Sequence, residues 1–331
     1  MEDTKMSELK KDSVERTLCI PLWSRAIAVK KLPQVLPDYD AVRILREMGE
    51  TKPPTVLYNL ECGALAGAIR HYDFACEIRE YLEKHPKAAV VELGAGLSCL
   101  RRQLKNETNP WINIDFPDVI ACREKYIPTG TLEKNVACDI TNHKWFDEIP
   151  FKKQNGVIFL AAGVLHYLTY DAVAELIAGM AEHFPGGLFV FDFISKKGKT
   201  GVNTQIRMTK NAARMDFSME DAEKELTAMS RKVSKVITKS YLEGYPVEGV
   251  KYSWLTKQYI KSKRDKFFVA HVEFMKLGSM CCHADIINYG DLPYTDFIRT
   301  KTLCQGGDLC DFKFVRHKTD AGDGWERSKS I

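Results

Sequence analysis

The stretch Val90-Val91-Glu92-Leu93-Gly94-Ala95-Gly96-Leu97-Ser98 constrains the fold more than any other part of the chain. An apolar strand running straight into Gly-x-Gly is the pattern of a loop that approaches a nucleoside cofactor at the carboxyl end of a parallel strand. Glycine lacks a Cβ, so the turn can bring backbone N–H groups against a ligand, and a following helix would aim its positive end there. Gly94 and Gly96 can also do no more than end a strand. A second strand, Trp111-Ile112-Asn113-Ile114-Asp115, narrows the choice: its final acid comes about 20 residues later, where a carboxylate accepts both hydroxyls of a ribose.

Dinucleotide enzymes continue this fingerprint to a third glycine beside the pyrophosphate, and Cys99 stands at that position here. The pattern therefore favours a ligand with one ribose and no phosphate, of which S-adenosylmethionine (SAM) is the common example. In Asn135-Val136-Ala137-Cys138-Asp139-Ile140 a third short apolar run ends in an acid, placed to face an exocyclic adenine amine. Asp115 and Asp139 can alternatively be helix caps or solvated loop acids. Glu92, inside an apolar run, must find donors because an unpaired buried carboxylate is costly, and its functional reading is orientation of the loop or of the cofactor amine. The expectation is that Gly96, Asp115 and Asp139 gather around one cavity.

The 331 residues are 45% hydrophobic, enough for a substantial core in one large domain with additions. Lys+Arg 48 against Asp+Glu 44 gives a net charge of +4, and the basic residues are spread along the chain. That distribution gives no nucleic-acid or membrane footprint, which leaves a small-molecule partner and an undetermined oligomeric state. With no apolar run long enough to span a bilayer and no signal-peptide core after Met1, the expected location is cytoplasmic. The ten cysteines are scattered and read as reduced thiols.

Residues 1–88 carry helical patterning, with Phe74, Ile78, Tyr81 and Leu82 at three- and four-residue spacing. From 89 to 195 strand candidates at 89–93, 111–115, 135–138, 156–161 and 188–193 alternate with amphipathic stretches. This alternation predicts an α/β fold with a parallel sheet and helices on both faces. The clearest helix is 169–184, with Thr169 as N-cap and Pro185-Gly186-Gly187 ending it. Residues 196–201 read as an exposed loop, 218–231 as a helix, and 233–237 and 267–274 as late strands. Residues 278–331 form a Cys-rich extension whose end, 319–331, reads as disordered.

Together these residues resemble class I SAM-dependent methyltransferases, and within them the leucine carboxyl methyltransferase and polyketide O-methyltransferase family. The marks are Leu18-Cys19-Ile20-Pro21-Leu22-Trp23-Ser24-Arg25-Ala26, the loop at 92–98, Ile114-Asp115-Phe116-Pro117-Asp118-Val119-Ile120 with Arg123, and Gly163-Val164-Leu165-His166-Tyr167-Leu168. The resemblance implies a Rossmann-like methyltransferase fold with a seven-stranded, mostly parallel sheet. It implies a helical lid over 1–88, a core over 89–277 with a lid insert near 241–266, and a small extension over 278–331. It further implies that Arg70 binds the methionine carboxylate, Asp115 with Phe116 the ribose, Asp139 with Ile140 the adenine, and that Gly94, Ala95, Gly96, Ser98, Ala161, Ala162 and Gly163 line the cofactor. The family's Asp-Thr-Arg is Ser98-Cys99-Leu100 here, its acid before Gly-Val-Leu is Ala162, and Arg101 or Arg102 is left to stand in for the missing arginine.

The implied reaction is methyl transfer from SAM to a carboxylate or hydroxyl oxygen of a small molecule. A carboxylate acceptor needs no base, whereas a hydroxyl would draw on His166 or Tyr167 at the end of the fourth strand. His166 fits a pocket-shaping role equally well, and Tyr241, Tyr245, Tyr252, Trp254 and Tyr259 fit either a lid or plain core. Cys281-Cys282-His283 and Gly306-Gly307-Asp308-Leu309-Cys310 resemble the last part of the 2-amino-thiazoline-4-carboxylate hydrolase-like family and read as an appended strand pair. With Cys304 they match no standard metal spacing, so no metal is expected. The competing readings are a catalytically silent SAM-binding sensor and a hydrolase-like activity in the extension.

Overall fold

Strand β1, Ala89–Leu93, is buried along its whole length, and its β-branched residues alternate between two apolar layers. Val91 and Leu93 face one layer and Val90 the other, so the strand needs cover on both sides. β1 pairs in parallel with β2 (Trp111–Asp115) on one side and β4 (Val157–Ala161) on the other. The computed structural model describes residues 18–53, 60–208, 214–241, 244–276, 295–298 and 313–316.

Adding β3 (Glu133–Ala137), β5 (Leu188–Ile194), β6 (Val233–Ser240) and β7 (Phe267–Phe274) gives a seven-stranded sheet of order β3-β2-β1-β4-β5-β7-β6. The first five strands are parallel, and β7 runs antiparallel between β5 and β6. The order reverses between β1 and β4, and open α/β sheets bind ligands at the carboxyl ends of the strands flanking such a reversal.

Helices α1 (Cys19–Lys31) and α3 (Glu61–Lys84) cover one face, with Leu65, Ile69 and Ile78 against Val90, Ile158 and Val190. Ser24 locks the two helices: its hydroxyl donates to the Gly63 and Ala64 carbonyls and accepts the Gly67 N–H at 3.0 Å. A Cβ at Gly67 would lie 2.6 Å from Ser24 Cβ, so glycine permits the approach. The short helix α2 (Tyr39–Glu47) is capped by Asp38. One-turn α4 (Leu100–Gln103) and α5 (Pro117–Tyr126) follow β1 and β2. Helix α6 (Tyr170–His183), capped by Thr169 as its sequence predicts, covers the opposite face with Trp145, Phe159 and Phe184.

Two local expectations change. Residues 196–201 open helix α7 (Lys196–Met208), because the Ser195 hydroxyl accepts the Gly198 N–H at 3.2 Å and nucleates the first turn despite two glycines. A Cβ on Gly198 would meet Ile194 Cγ1 at 2.6 Å, so that glycine serves close packing and not a loop. The helix after the Gly-x-Gly turn, α4, is a single turn and offers no sustained dipole to a ligand. Further on, α8 spans Ala222–Met229 and α9 spans Trp254–Lys263.

The chain divides into a unit through Phe274 and a second from Met275 onward. In the second, β8 (Thr295–Ile298) and β9 (Lys313–Arg316) form an antiparallel pair in which Phe297 opposes Phe314. The cysteines and histidine at 281–283, 304 and 310 lie outside the described residues. Among the described residues Cys62, Cys76, Cys99 and Cys138 are free thiols. Among the described residues no helix is long and apolar enough to cross a membrane, and no three His, Cys, Asp or Glu side chains are grouped to hold a metal ion.

Candidate functional site

Two neighbouring cavities, of about 390 Å³ and about 70 Å³, lie at the carboxyl ends of β1, β2 and β4 and share Leu18, Pro21, Arg70, Gly94 and Ala162. The larger also takes Asp115, Phe116, Asp139, Ile140, Gly163, His166 and Tyr167. The smaller takes Glu92, Ala95, Gly96 and Ser98. Gly96 lines the smaller cavity and Asp115 and Asp139 the larger, but the two abut: the Gly96 N–H donates to Asp115 Oδ2 at 2.8 Å, and Leu18 lies so close over Gly96 that a Cβ there would be 2.6 Å from its Cδ2. Ala161 lines neither cavity, because it is the last strand residue of β4 and its side chain packs into the core under the sheet.

The Gly-x-Gly loop is held by its neighbours. Gly94 and Gly96 have φ of +66° and +50°, the left-handed region that favours glycine. The N–H groups of Gly94 and Ala95 donate to the Ile114 carbonyl and that of Gly96 to Asp115 Oδ2 at 2.8 Å. These donors are therefore engaged with β2 and do not line up toward a ligand; the glycines supply room. Two buried arginines tie the loop carbonyls. Arg123 donates to Gly96 O and Ser98 O at 3.1 and 2.7 Å, and Arg25 donates to Leu97 O at 2.9 Å while paired with Asp38. Both arginines stand in the family-like strings of the sequence, and their contacts give those strings a structural reason. Cys99, in place of a third glycine, is buried, and burial pushes its thiol up to about 12.

Asp115 is buried, and its two oxygens take the N–H groups of Gly96 and Phe116 at 2.8 Å each. Asp139 Oδ1 accepts from the Thr141 N–H and hydroxyl, both at 2.8 Å, which orients an exposed carboxylate at the cavity edge beside Ile140. Glu92 Oε1 accepts from the Trp111 indole at 2.8 Å, and burial raises its carboxyl despite Arg123, Ser98 and Trp111 nearby. This binds Glu92 to the loop framework. Arg101 runs to Glu133 and the exposed Arg102 to Asp40, and neither lines a cavity, so neither replaces an arginine of the loop.

Asp192, on β5, is the residue that the sequence reading missed. Its Oδ1 accepts the Gly163 N–H at 2.6 Å, while Oδ2 lies 3.1 Å from Arg70 Nη1 and 3.2 Å from His166 Nε2. Burial alone would raise this carboxyl, but His166, Arg70 and the Gly163 N–H outweigh it and hold it well below the usual carboxylate range. An acid inside the run Phe189-Val190-Phe191-Asp192-Phe193 was the available signal, the same one that singled out Glu92. In the smaller cavity His71 contacts Gln103, and burial beside Arg25 pushes its imidazole down to about 3, leaving it neutral.

The donor set suits a nucleoside sulfonium amino acid. A half-buried guanidinium lines both cavities, two carboxylates stand at the ends of β2 and β3, and Phe116 and Ile140 give apolar lining. Glycine at 163 keeps the floor low, since a Cβ there would lie 2.3 Å from Arg70 Nη1. The larger volume falls in the range of small-ligand pockets.

The leucine carboxyl methyltransferase family model matches residues 69–181. The chain is similar to the tetracenomycin polyketide synthesis O-methyltransferase TcmP of Streptomyces glaucescens, 26% identical over 182 residues, covering 55% of this chain and 66% of that protein. That share is just under two thirds of the relative's length. It is also similar to the S-adenosyl-L-methionine-dependent methyltransferase dpfgK of Gibberella zeae, 25% identical over 220 residues, covering 58% of this chain and 73% of that protein. Human N-acetylserotonin methyltransferase in complex with SAM superposes with a TM-score of 0.42 and 12% identity, over 72% of this chain and 65% of that one.

Proposed function

We propose that this chain, a member of the leucine carboxyl methyltransferase family, is a SAM-dependent O-methyltransferase acting on a small molecule. The observation that carries this reading is the continuity of the site. Arg70 belongs to both cavities, and Asp115, Asp139, His166, Tyr167 and Tyr241 all line the larger. A cofactor held by Arg70, Asp115 and Asp139 leaves His166, Tyr167 and Tyr241 for an acceptor.

When bound, SAM supplies an electrophilic methyl on a sulfonium, and methyl transfer then needs an acceptor oxygen in line and little water. We assign the ribose to Asp115 beside Phe116, the adenine to Asp139 and Ile140, and the methionine carboxylate to Arg70, with Gly94, Ala95, Gly96, Ser98, Ala162 and Gly163 shaping the walls. Asp192 holds Arg70 and the Gly163 turn in register, so the guanidinium is preorganised. Glu92 steadies the loop through Trp111. We assign proton removal from a hydroxyl acceptor to His166, whose Nε2 is oriented by Asp192, or to Tyr167; a carboxylate acceptor would ask nothing of them. The lining beyond the cofactor residues argues against a silent SAM sensor, since a sensor needs no acceptor space.

Calorimetry of the full chain with SAM tests the assignment. Saturable binding, weakened in Asp115→Ala, is expected together with methylated product in a mass-spectrometric screen of cell extract supplied with labelled SAM. Folded protein that binds no SAM, or binds it unchanged after Asp115→Ala, would overturn it.

A further inference from the structure

Lys263, at the last turn of α9, lines the acceptor end of the larger cavity with Tyr241, Tyr259 and Phe267. Its ammonium lies 5.5 Å from the Tyr259 ring centroid and 5.3 Å from that of Phe267, so two π faces flank it. Among the described residues no carboxylate pairs with it. The arginine of the cavity, Arg70, is paired with Asp192. Half-burial, and then Lys266, lower the Lys263 ammonium, the direction expected of a cation short of a counter-charge.

We propose that Lys263 is a specificity-determining residue that pairs with an oxyanion on the acceptor, whose flat aromatic body packs against Tyr259 and Phe267. This rests on the methyltransferase reading above and names the substrate class for that site. Of the cations lining the cavity, Arg70 is paired with Asp192 and assigned to the methionine carboxylate, which leaves Lys263 for an acceptor anion, while Asp115 and Asp139 disfavour an anion beside them. An anionic acceptor is thereby oriented, with its charged edge at α9. A neutral acceptor of the same shape leaves the ammonium partly desolvated and unpaired, which is a penalty and hence a source of discrimination. The rings add stacking area at little entropy cost.

The test uses full-length protein loaded with S-adenosylhomocysteine, titrated at neutral pH with four fluorescent probes: 1-hydroxy-2-naphthoate, 2-naphthoate, 2-naphthol and the neutral amide of 2-naphthoate. The wild type is expected to bind at least one carboxylate probe about tenfold or more tighter than the amide, a difference equivalent to about 1.4 kcal/mol. Lys263→Met should erase that preference and Lys263→Arg should retain it. A phenol acidic enough to ionise at neutral pH, 6,8-difluoro-7-hydroxycoumarin, separates the oxyanion classes while Lys263 stays charged: binding by the wild type that is lost in Lys263→Met marks a phenolate, and binding of the carboxylate probes alone marks a carboxylate. Unchanged S-adenosylhomocysteine affinity in Lys263→Met shows that the variant is folded. Equal binding of acid and amide, no probe bound by the wild type, or a preference that survives in Lys263→Met would overturn the proposal. Absence of S-adenosylhomocysteine binding in the wild type would instead sink the methyltransferase reading beneath it.

Discussion

Asp192 Oδ2 lies 3.1 Å from Arg70 Nη1, joining the fifth strand to the long helix that precedes the sheet. Asp192 is buried and Arg70 half-buried, and the same carboxylate holds the Gly163 turn. An ion pair in this setting owes its value to geometry and to its full set of hydrogen bonds, because desolvation of each charge is expensive.

Replacing Asp192 by Ala leaves Arg70 half-buried without a counter-charge. Destabilisation of about 3–5 kcal/mol is expected in urea unfolding, with SAM affinity falling in parallel. Because the folded-state carboxyl is depressed, its stabilisation is complete above the usual Asp range and is lost only as pH falls into strong acid. A variant as stable as the wild type at pH 7 would show that Arg70 has another anchor.

Gly94 and Gly49 share a positive φ, +66° and +75°, but differ in surroundings. A Cβ on Gly94 would meet Val164 Cγ2 at 2.3 Å, whereas one on Gly49 meets nothing within 4 Å. Gly49→Ala should cost about 1 kcal/mol of backbone strain and leave SAM binding intact. Gly94→Ala should cost about 2–4 kcal/mol and abolish binding, since Val164 must shift into the cavity. Comparable melting temperatures for the two would refute the packing explanation.

Asp115→Asn retains shape but removes the charge that accepts the Gly96 N–H. Calorimetry should show SAM affinity reduced at least about tenfold, or about 1.4 kcal/mol, together with a stability loss of about 1–3 kcal/mol, because the new amide NH2 faces one of the two backbone N–H donors that Asp115 accepts. Retained affinity would move the ribose away from Asp115.

Asp73, deep in α3, is buried, and neither carboxylate oxygen has a hydrogen-bond partner among the described residues. Burial, then the nearby Glu77, raises its carboxyl well above the usual range. The folded state therefore holds this proton more tightly than the unfolded state, and stability falls as pH rises from the ordinary Asp value through the raised one. Asp73→Asn should stabilise at pH 7 by about 1 kcal/mol or more, with the gain shrinking toward pH 4. Thermal unfolding at the two pH values checks this, and a loss of stability at pH 7 would mean that the ionised form is satisfied.

Elements encoded by local pattern were legible in the sequence. The strands at 89–93 and 111–115 and the α6 cap at Thr169 need only apolar runs, β-branched residues and a hydroxyl at the right place. The turn after the first strand was legible as well, because two glycines follow a buried apolar run, whereas the positive φ at 94 and 96 is read from the structure. Helix α7 was not legible, since two glycines hid a helix that Ser195 starts and Ile194 packs.

The amino-acid order alone thus determined the alternating architecture, the glycine turn and the acids at the strand ends. Folding decided which charges are neutralised and which cavity each loop residue faces. Asp192 meets Arg70 across 122 positions, and Leu18 comes to lie over Gly96, only because the fold brings β5 and the first helices to the carboxyl ends of the central strands. Such pairings depend on distances in space between groups far apart along the chain, and a local pattern of residues carries no measure of those distances.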